Sequence, residues 1–528
     1  MKAMRKLLGV LCLLFAILLV GCSSSDESST KEAGNEKAKK IVKIAWQDSG
    51  FISPFTFTTS GPGGYLRNSF LFDTLTWKDE KGVIPWLATD WTLSDDQLTY
   101  TFNLEKDVKF YDGKPLTADD VVFSYTYFKE HVFPWNADMT KVKSAEKVSD
   151  TEVKIHLEEP FSPFITEIAG ILPIIPKHIW ENVKNPVEYQ ENQALIGSGP
   201  FTLAEYDKAA GNYRFVKNDH YFKGKVNVDE VHYLAVENKV LSLQNNEISA
   251  GMTFNYKEVE QMKQQGFDVI KADPTGSAVR TVFNLNHEQL KDKRLRQAIG
   301  YALDRAQVSE KLTGSNEPMV GNAGVIPLDS PWYNTNVKQY EYSTDKANAL
   351  LDELGYNKNT KGVRDGLKLR VLVSSTSQEA ELMKVMLAKV GIDLTIQSVD
   401  SAAFSTVMSE GNFDMAITGH IGLSGDPDFL RLWFSGQASN SLAGKSVFDN
   451  KQFKELANLQ LTQTNETERK ATIDKMQDIL ADELPTLVLY HRPFYFIYKA
   501  SDFDGWFNTY GGISDGIPLW DNKAAFIQ

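Results

Sequence analysis

The chain has 528 residues, a formal net charge of −13, 20 Tyr and 10 Trp. That length exceeds a single hydrophobic core and implies two or three domains. The acidic balance argues against nucleic acid and against adsorption to anionic lipid, and two cysteines give no disulfide framework.

Lys2, Arg5 and Lys6 precede an apolar run from Leu7 to Val20, the layout of a signal peptide. The run is shorter than the ~20 residues that cross a bilayer comfortably. It closes on Leu19-Val20-Gly21-Cys22, which resembles the bacterial lipobox rather than the small-residue site of ordinary secretion. That resemblance implies removal of 1–21 and acylation of Cys22. Cys12 leaves with the signal, and loss of the three cations takes the charge from −13 to −16. Residues 22–40 contain almost nothing to bury and are expected to form a lipidated, disordered tether. The rest is expected to stand at the outer face of the cytoplasmic membrane, held there through its lipid alone.

Ile41 to Trp46 reads as a first strand. Thr58 to Tyr65, rich in glycine and hydroxyls, reads as a loop before a helix at about Leu66 to Phe72. Thr99 to Leu104 alternates Tyr100, Phe102 and Leu104 with polar residues, as does Val153 to Leu157, the period of half-buried strands. Between them Thr117 caps a helix reaching Lys129, with Asp119 and Asp120 at its positive end. Asp292 caps a helix whose Leu295, Ile299, Ala302 and Leu303 share a face, and Asp345 to Leu354 is another, closed by Gly355. Then come a strand (367–373), a helix (378–390) stopped by Gly391, a strand (392–399), a helix (402–409) and a strand (413–418). This β-α-β-α-β run predicts parallel strands with helices on their faces. Ligands of open α/β sheets sit beyond the carboxyl ends of the strands, so the loop after Thr418 is a site candidate.

Several ordered segments resemble the extracellular solute-binding proteins of family 5, the oligopeptide, dipeptide and nickel receptors of ABC importers. They are Ala88-Thr-Asp-Trp91, Leu98 to Leu104, Val108-Lys-Phe-Tyr-Asp-Gly113, Leu116 to Val121, Gly197-Ser-Gly-Pro-Phe201, and Phe283-Asn-Leu-Asn286 with Arg294 to Ala298 and Leu303-Asp-Arg305. The resemblance implies an α/β, two-lobed periplasmic-binding-protein-like clamshell of type II with an extra domain, its mixed sheets flanked by helices. Residues 41–75, 194–275 and 490–528 would form lobe I, 76–193 the extra domain, and 276–489 lobe II. It further implies a monomeric peptide receptor that serves ABC permease and ATPase subunits, with no cofactor and no catalysis. The alternative is the same fold around a nickel chelate or other small solute. A sensor partner or a hydrolase fits less well, since no HExxH or Walker motif occurs. Asp112-Gly113 and Asp119-Asp120 read as a turn and a helix start, and Gly197 and Gly199 as turn residues.

The ligand question centres on Thr418-Gly-His-Ile-Gly-Leu-Ser-Gly-Asp-Pro-Asp428. Peptide-binding relatives carry an aspartate after this strand for the ligand's amino group, whereas here Gly419 and His420 stand near that point. Either Asp426 or Asp428 takes the amine, or the ligand is not held through it; Asp426-Pro427 also reads as a turn and helix cap. His420 could donate to a ligand carboxylate, ligate a metal together with His491 from the opposite wall, or merely line the cleft. Arg492 could pair with a carboxylate, and Arg431 is expected on the helix after Asp428. Tyr490, Trp506 and Tyr510 are candidate aromatic walls, each equally readable as core. Gly61, Gly63 and Tyr65 are candidates for contact with an extended peptide.

Overall fold

The computed structural model describes residues 39–528 apart from 49, 56–61, 132, 134–136, 316–318, 424, 436–447 and 513–519. The signal segment, Cys22, nearly all of the tether and Gly61 therefore lie outside the described residues.

β1 (Ile41–Trp46) forms where the sequence pattern placed it. Helix α1 (Pro62–Leu71) begins earlier than expected, because a proline fits the first helical position, where no N–H is needed. Gly63 thus belongs to the first turn of a helix, not to a loop. β2 (Thr76–Asp79) and β3 (Gly82–Pro85) make a hairpin. β4 (Ala88–Leu93), β5 (Thr99–Leu104), β6 (Val142–Ser149) and β7 (Glu152–Leu157) form a four-stranded sheet ordered β4-β5-β7-β6. Tyr100, Phe102 and Leu104 all point into its core, as their alternation requires. α2 (Ala118–Glu130) starts on a full capping box between Thr117 and Asp120.

β8 (Phe201–Asp207), β9 (Asn212–Lys217), β10 (Glu230–Ala235), β11 (Ala250–Thr253) and β12 (Asp268–Lys271) join β1 in a second sheet. Entry to β8 depends on close backbone approach: a Cβ on Gly197 would lie 2.0 Å from the Leu71 carbonyl oxygen, and one on Gly199 2.4 Å from that of Phe70. The turn role expected of these glycines is therefore a packing role.

β13 (Ser277–Phe283) opens a third sheet. α3 (Lys293–Ala302) follows Asp292, whose side chain accepts from Arg294 N. β14 (Lys368–Val373), α4 (Gln378–Lys389), β15 (Asp393–Ser398), α5 (Ser401–Glu410) and β16 (Met415–Ile421) reproduce the expected alternation. β14 runs parallel to both β15 and β16. α6 (Phe429–Phe434), α7 (Lys451–Leu461) and α8 (Glu466–Glu483) lead to β17 (Thr486–His491) and β18 (Tyr495–Tyr498).

The completed sheets are seven-stranded, β12-β18-β11-β1-β10-β9-β8, and five-stranded, β15-β14-β16-β13-β17. β13 is antiparallel to both neighbours, so the five-stranded sheet is mixed. The chain passes between the two sheets twice, after β12 and after β17. Both faces of the five-stranded sheet are covered. Val279, Ile417 and Leu487 bury with Ile299 of α3 and Met383 of α4, while Ala278 and Val488 bury with Trp433 of α6 and Met476 of α8.

Candidate functional site

β16 runs three residues past Thr418, so Gly419 and His420 are strand residues and not loop residues. The reason is β13, which pairs with β16 along its whole length, from Phe283↔Met415 to Ser277↔Ile421. Hydrogen bonds from Gly422 N to Gly276 O and from Asn284 N to Asp414 O fix which pairs are bonded. By alternation, Gly419 and Ile421 turn their N–H and C=O groups away from β13. On that side β14 pairs only with Met415 and Ala416. Among the described residues no strand pairs with β16 on that side at Gly419 and Ile421, and both residues are exposed; the Gly419 carbonyl accepts only from the Thr418 hydroxyl at 3.2 Å.

His420 is half-buried and meets the Trp433 ring edge-on, with centroids 4.2 Å apart at 83°. Burial, then the charge of Arg280, pushes its imidazole down to about 3, so it is neutral at ordinary pH. Arg280 lies over the same indole with its guanidinium carbon 4.2 Å from the ring centroid, a cation–π contact. Burial lowers that guanidinium to about 9. Arg280 carries no recognisable motif; only the register of β13 against β16 brings it to His420.

Asp426 and Asp428 are already committed. Arg469 Nη1 and Nη2 grip the Asp426 carboxylate at 2.7 and 2.5 Å. Arg431 Nε and Nη2 grip Asp428 at 2.7 and 2.6 Å, and Gln460 adds a third donor at 2.5 Å. Asp428 is 1% exposed, and burial, opposed by Arg431, raises its carboxyl above the usual range. These aspartates tie the start of α6 to α7 and α8 instead of awaiting an amine. Both carboxylates are thus paired with arginines, where the sequence offered one of them to a ligand's amine. Arg431 does sit on the helix after Asp428, as expected.

His491 is also corrected. It lies on β17 of the same five-stranded sheet as His420, the two flanking Ala278, and so does not face His420 from an opposite wall. It is fully buried, with Nδ1 3.2 Å from Ser277 O and Nε2 3.5 Å from Asn322 Nδ2. Burial pushes its pKa down to about 4. Among the described residues no three His, Cys, Asp or Glu side chains converge to hold a metal.

The aromatic candidates divide. Tyr490 is buried and donates to Glu379 Oε1 at 2.7 Å. Tyr65 is buried, donates to Gly170 O and stacks on Trp77. Trp506 is packed among Phe496, Phe503 and Phe526. These three are core. Tyr510, by contrast, is 46% exposed and lines a cavity of about 510 Å³ with Glu80, Asp273, Asp329 and Phe507. Asp329 is exposed there, and its Oδ2 accepts from Thr275 N and Oγ1 at 2.8 Å. Sequence reasoning missed it, since Pro327-Leu-Asp-Ser-Pro331 reads only as a turn. Arg492, half-buried over the Phe254 ring at 4.0 Å, sits at the second passage between sheets.

A family model described as bacterial extracellular solute-binding proteins, family 5 middle, matches residues 82–441. The oligopeptide-binding protein AppA of Bacillus subtilis is 31% identical over 469 residues, 84% of each chain. The dipeptide-binding protein of Escherichia coli is 27% identical over 436 residues, covering 78% of this chain and 81% of its own. Among solved structures, the ABC transporter substrate-binding protein CtaP of Listeria monocytogenes superposes with a TM-score of 0.77 at 25% identity, over 91% of this chain and 98% of its own.

Proposed function

Because the chain belongs to bacterial extracellular solute-binding protein family 5, we propose that it captures oligopeptides or dipeptides outside the cytoplasm and delivers them to an ABC importer. The observation that carries the peptide reading is the open edge of β16. An extended peptide can add to a sheet edge through main-chain hydrogen bonds that ignore its sequence, and Gly419 and Ile421 offer that edge without a side chain at Gly419 to obstruct it. The peptide's amino end is met by the acidic cavity of Asp329, Asp273 and Glu80, with Tyr510 as its wall, since Asp426 and Asp428 hold arginines.

In this reading the seven-stranded sheet belongs to lobe I, the four-stranded sheet to the extra domain and the five-stranded sheet to lobe II. The two passages after β12 and β17 act as the hinge on which the lobes close. Acylated Cys22 and its tether keep a monomeric receptor beside the permease at the outer face of the cytoplasmic membrane. No helix among the described residues is long and apolar enough to cross a membrane.

The test is calorimetry of the full chain with tetra-alanine and with tetra-alanines N-methylated at one backbone position each. Alternate positions should lose about tenfold or more in affinity when methylated, as main-chain pairing requires. Uniform tolerance of methylation would remove β16 pairing from the site.

A further inference from the structure

Arg280 is 2% exposed, yet among the described residues nothing accepts a hydrogen bond from its Nε or Nη2. Other buried guanidiniums of this part of the chain are provided for. Arg296 donates to the carbonyls of Leu290, Lys291, Glu483 and Leu484. Arg305 donates to those of Gly321, Val488 and Tyr340, and Arg469 grips Asp426. A buried cation without an acceptor is costly, and a fold that tolerates one usually supplies its partner by some other route.

The free atoms indicate which partner. Nε and Nη2 form one edge of the guanidinium plane, the edge that grips a carboxylate with two parallel bonds. Arg431 uses that same edge on Asp428 in this protein. Trp433 covers one face of the Arg280 plane at 4.2 Å, which fixes the orientation of the remaining edge. Arg280 stands opposite Thr418 in the β13–β16 register, on the same face as His420. Thr418 and His420 are half-buried and Gly419 is exposed, so Arg280 lies beside the strand to which a peptide would be added, with its Nε and Nη2 closed to solvent in this structure. His420 is neutral there and brings no competing charge.

We propose that the Nε–Nη2 edge of Arg280, backed by Trp433 and flanked by His420, is a subsite for a carboxylate of the bound ligand. Naming that ligand a peptide rests on the receptor reading above. The carboxylate is then either the C-terminus or an acidic side chain.

Calorimetry of the full chain separates these cases with four probes: tetra-alanine as free acid and as amide, and Ala-Glu-Ala-Ala and Ala-Gln-Ala-Ala as amides. Wild type should prefer one carboxylate probe over its neutral twin by about 30-fold, the scale of a charge-assisted pair. An acid-over-amide preference assigns the C-terminus, and a Glu-over-Gln preference assigns a side chain. R280M should abolish that preference, leave neutral probes within twofold, and keep or raise the melting temperature. R280K, which lacks the two-pronged edge, should lose most of the preference. Peptide binding with no carboxylate preference, or a preference that survives in R280M, overturns the subsite and leaves the peptide receptor standing. A melting temperature lowered by several degrees, or failure of R280M to fold, makes Arg280 structural and overturns it equally. If no peptide binds, the receptor reading fails, and sodium glutarate decides the subsite alone. Glutarate binding by wild type that R280M loses upholds the subsite; no glutarate binding refutes it.

Discussion

Assigning His491 to the fold instead of the ligand makes a quantitative prediction in acid. The imidazole is fully buried and pushed down to about 4 from an ordinary 6.5. Between those values the unfolded chain binds a proton that the native state does not. Stability is therefore fully present above pH 6.5 and is lost as pH falls through the window from 6.5 towards 4. Linkage with these values gives a loss of about 2 kcal/mol on going from pH 7 to pH 5. His491→Asn keeps a donor at the Nδ1 position for Ser277 O while removing the titration. Urea unfolding at both pH values should show the variant losing about 2 kcal/mol less than wild type. His420, with its own low value, is present in both proteins and cancels. At pH 7 the variant should bind tetra-alanine as wild type does. Equal pH dependence in the two proteins would refute the burial argument, and a large loss of peptide affinity would return His491 to the site.

Three further outcomes separate structural from binding residues. Asp426→Ala leaves the Arg469 guanidinium without its carboxylate and should cost about 3 kcal/mol in urea unfolding, with peptide affinity of the folded protein unchanged. Trp506→Ala, in an aromatic cluster, should cost about 3–5 kcal/mol. Tyr510→Ala, at an exposed position, should stay within about 0.5 kcal/mol while weakening peptide binding severalfold by calorimetry. Finally, Cys22→Ser should abolish incorporation of labelled palmitate and release the protein from membranes; continued membrane attachment would remove the lipid-anchor proposal.

Local patterns carried the elements well. The alternation at Thr99–Leu104, the Thr117 helix cap and the glycine stop at Gly391 each depend on neighbouring residues, and each formed as read. The end of β16 did not, because its length is set by β13, more than a hundred residues earlier. The same holds for function. Tyr510 was legible as an aromatic candidate, but its exposure and that of Asp329 arise only where distant segments meet around one cavity. Asp426 and Asp428 looked available because Arg469 and Gln460, which use them, lie on later helices. Arg280 was invisible for the complementary reason: a lone arginine in a strand acquires meaning only when no partner is found for it.

The central claim is that this receptor holds peptides. Denaturing mass spectrometry of whatever co-purifies with the protein, with a metal assay on the same sample, tests it most directly. The account predicts short peptides in near-stoichiometric amount and no bound transition metal. Stoichiometric nickel without peptide would contradict it.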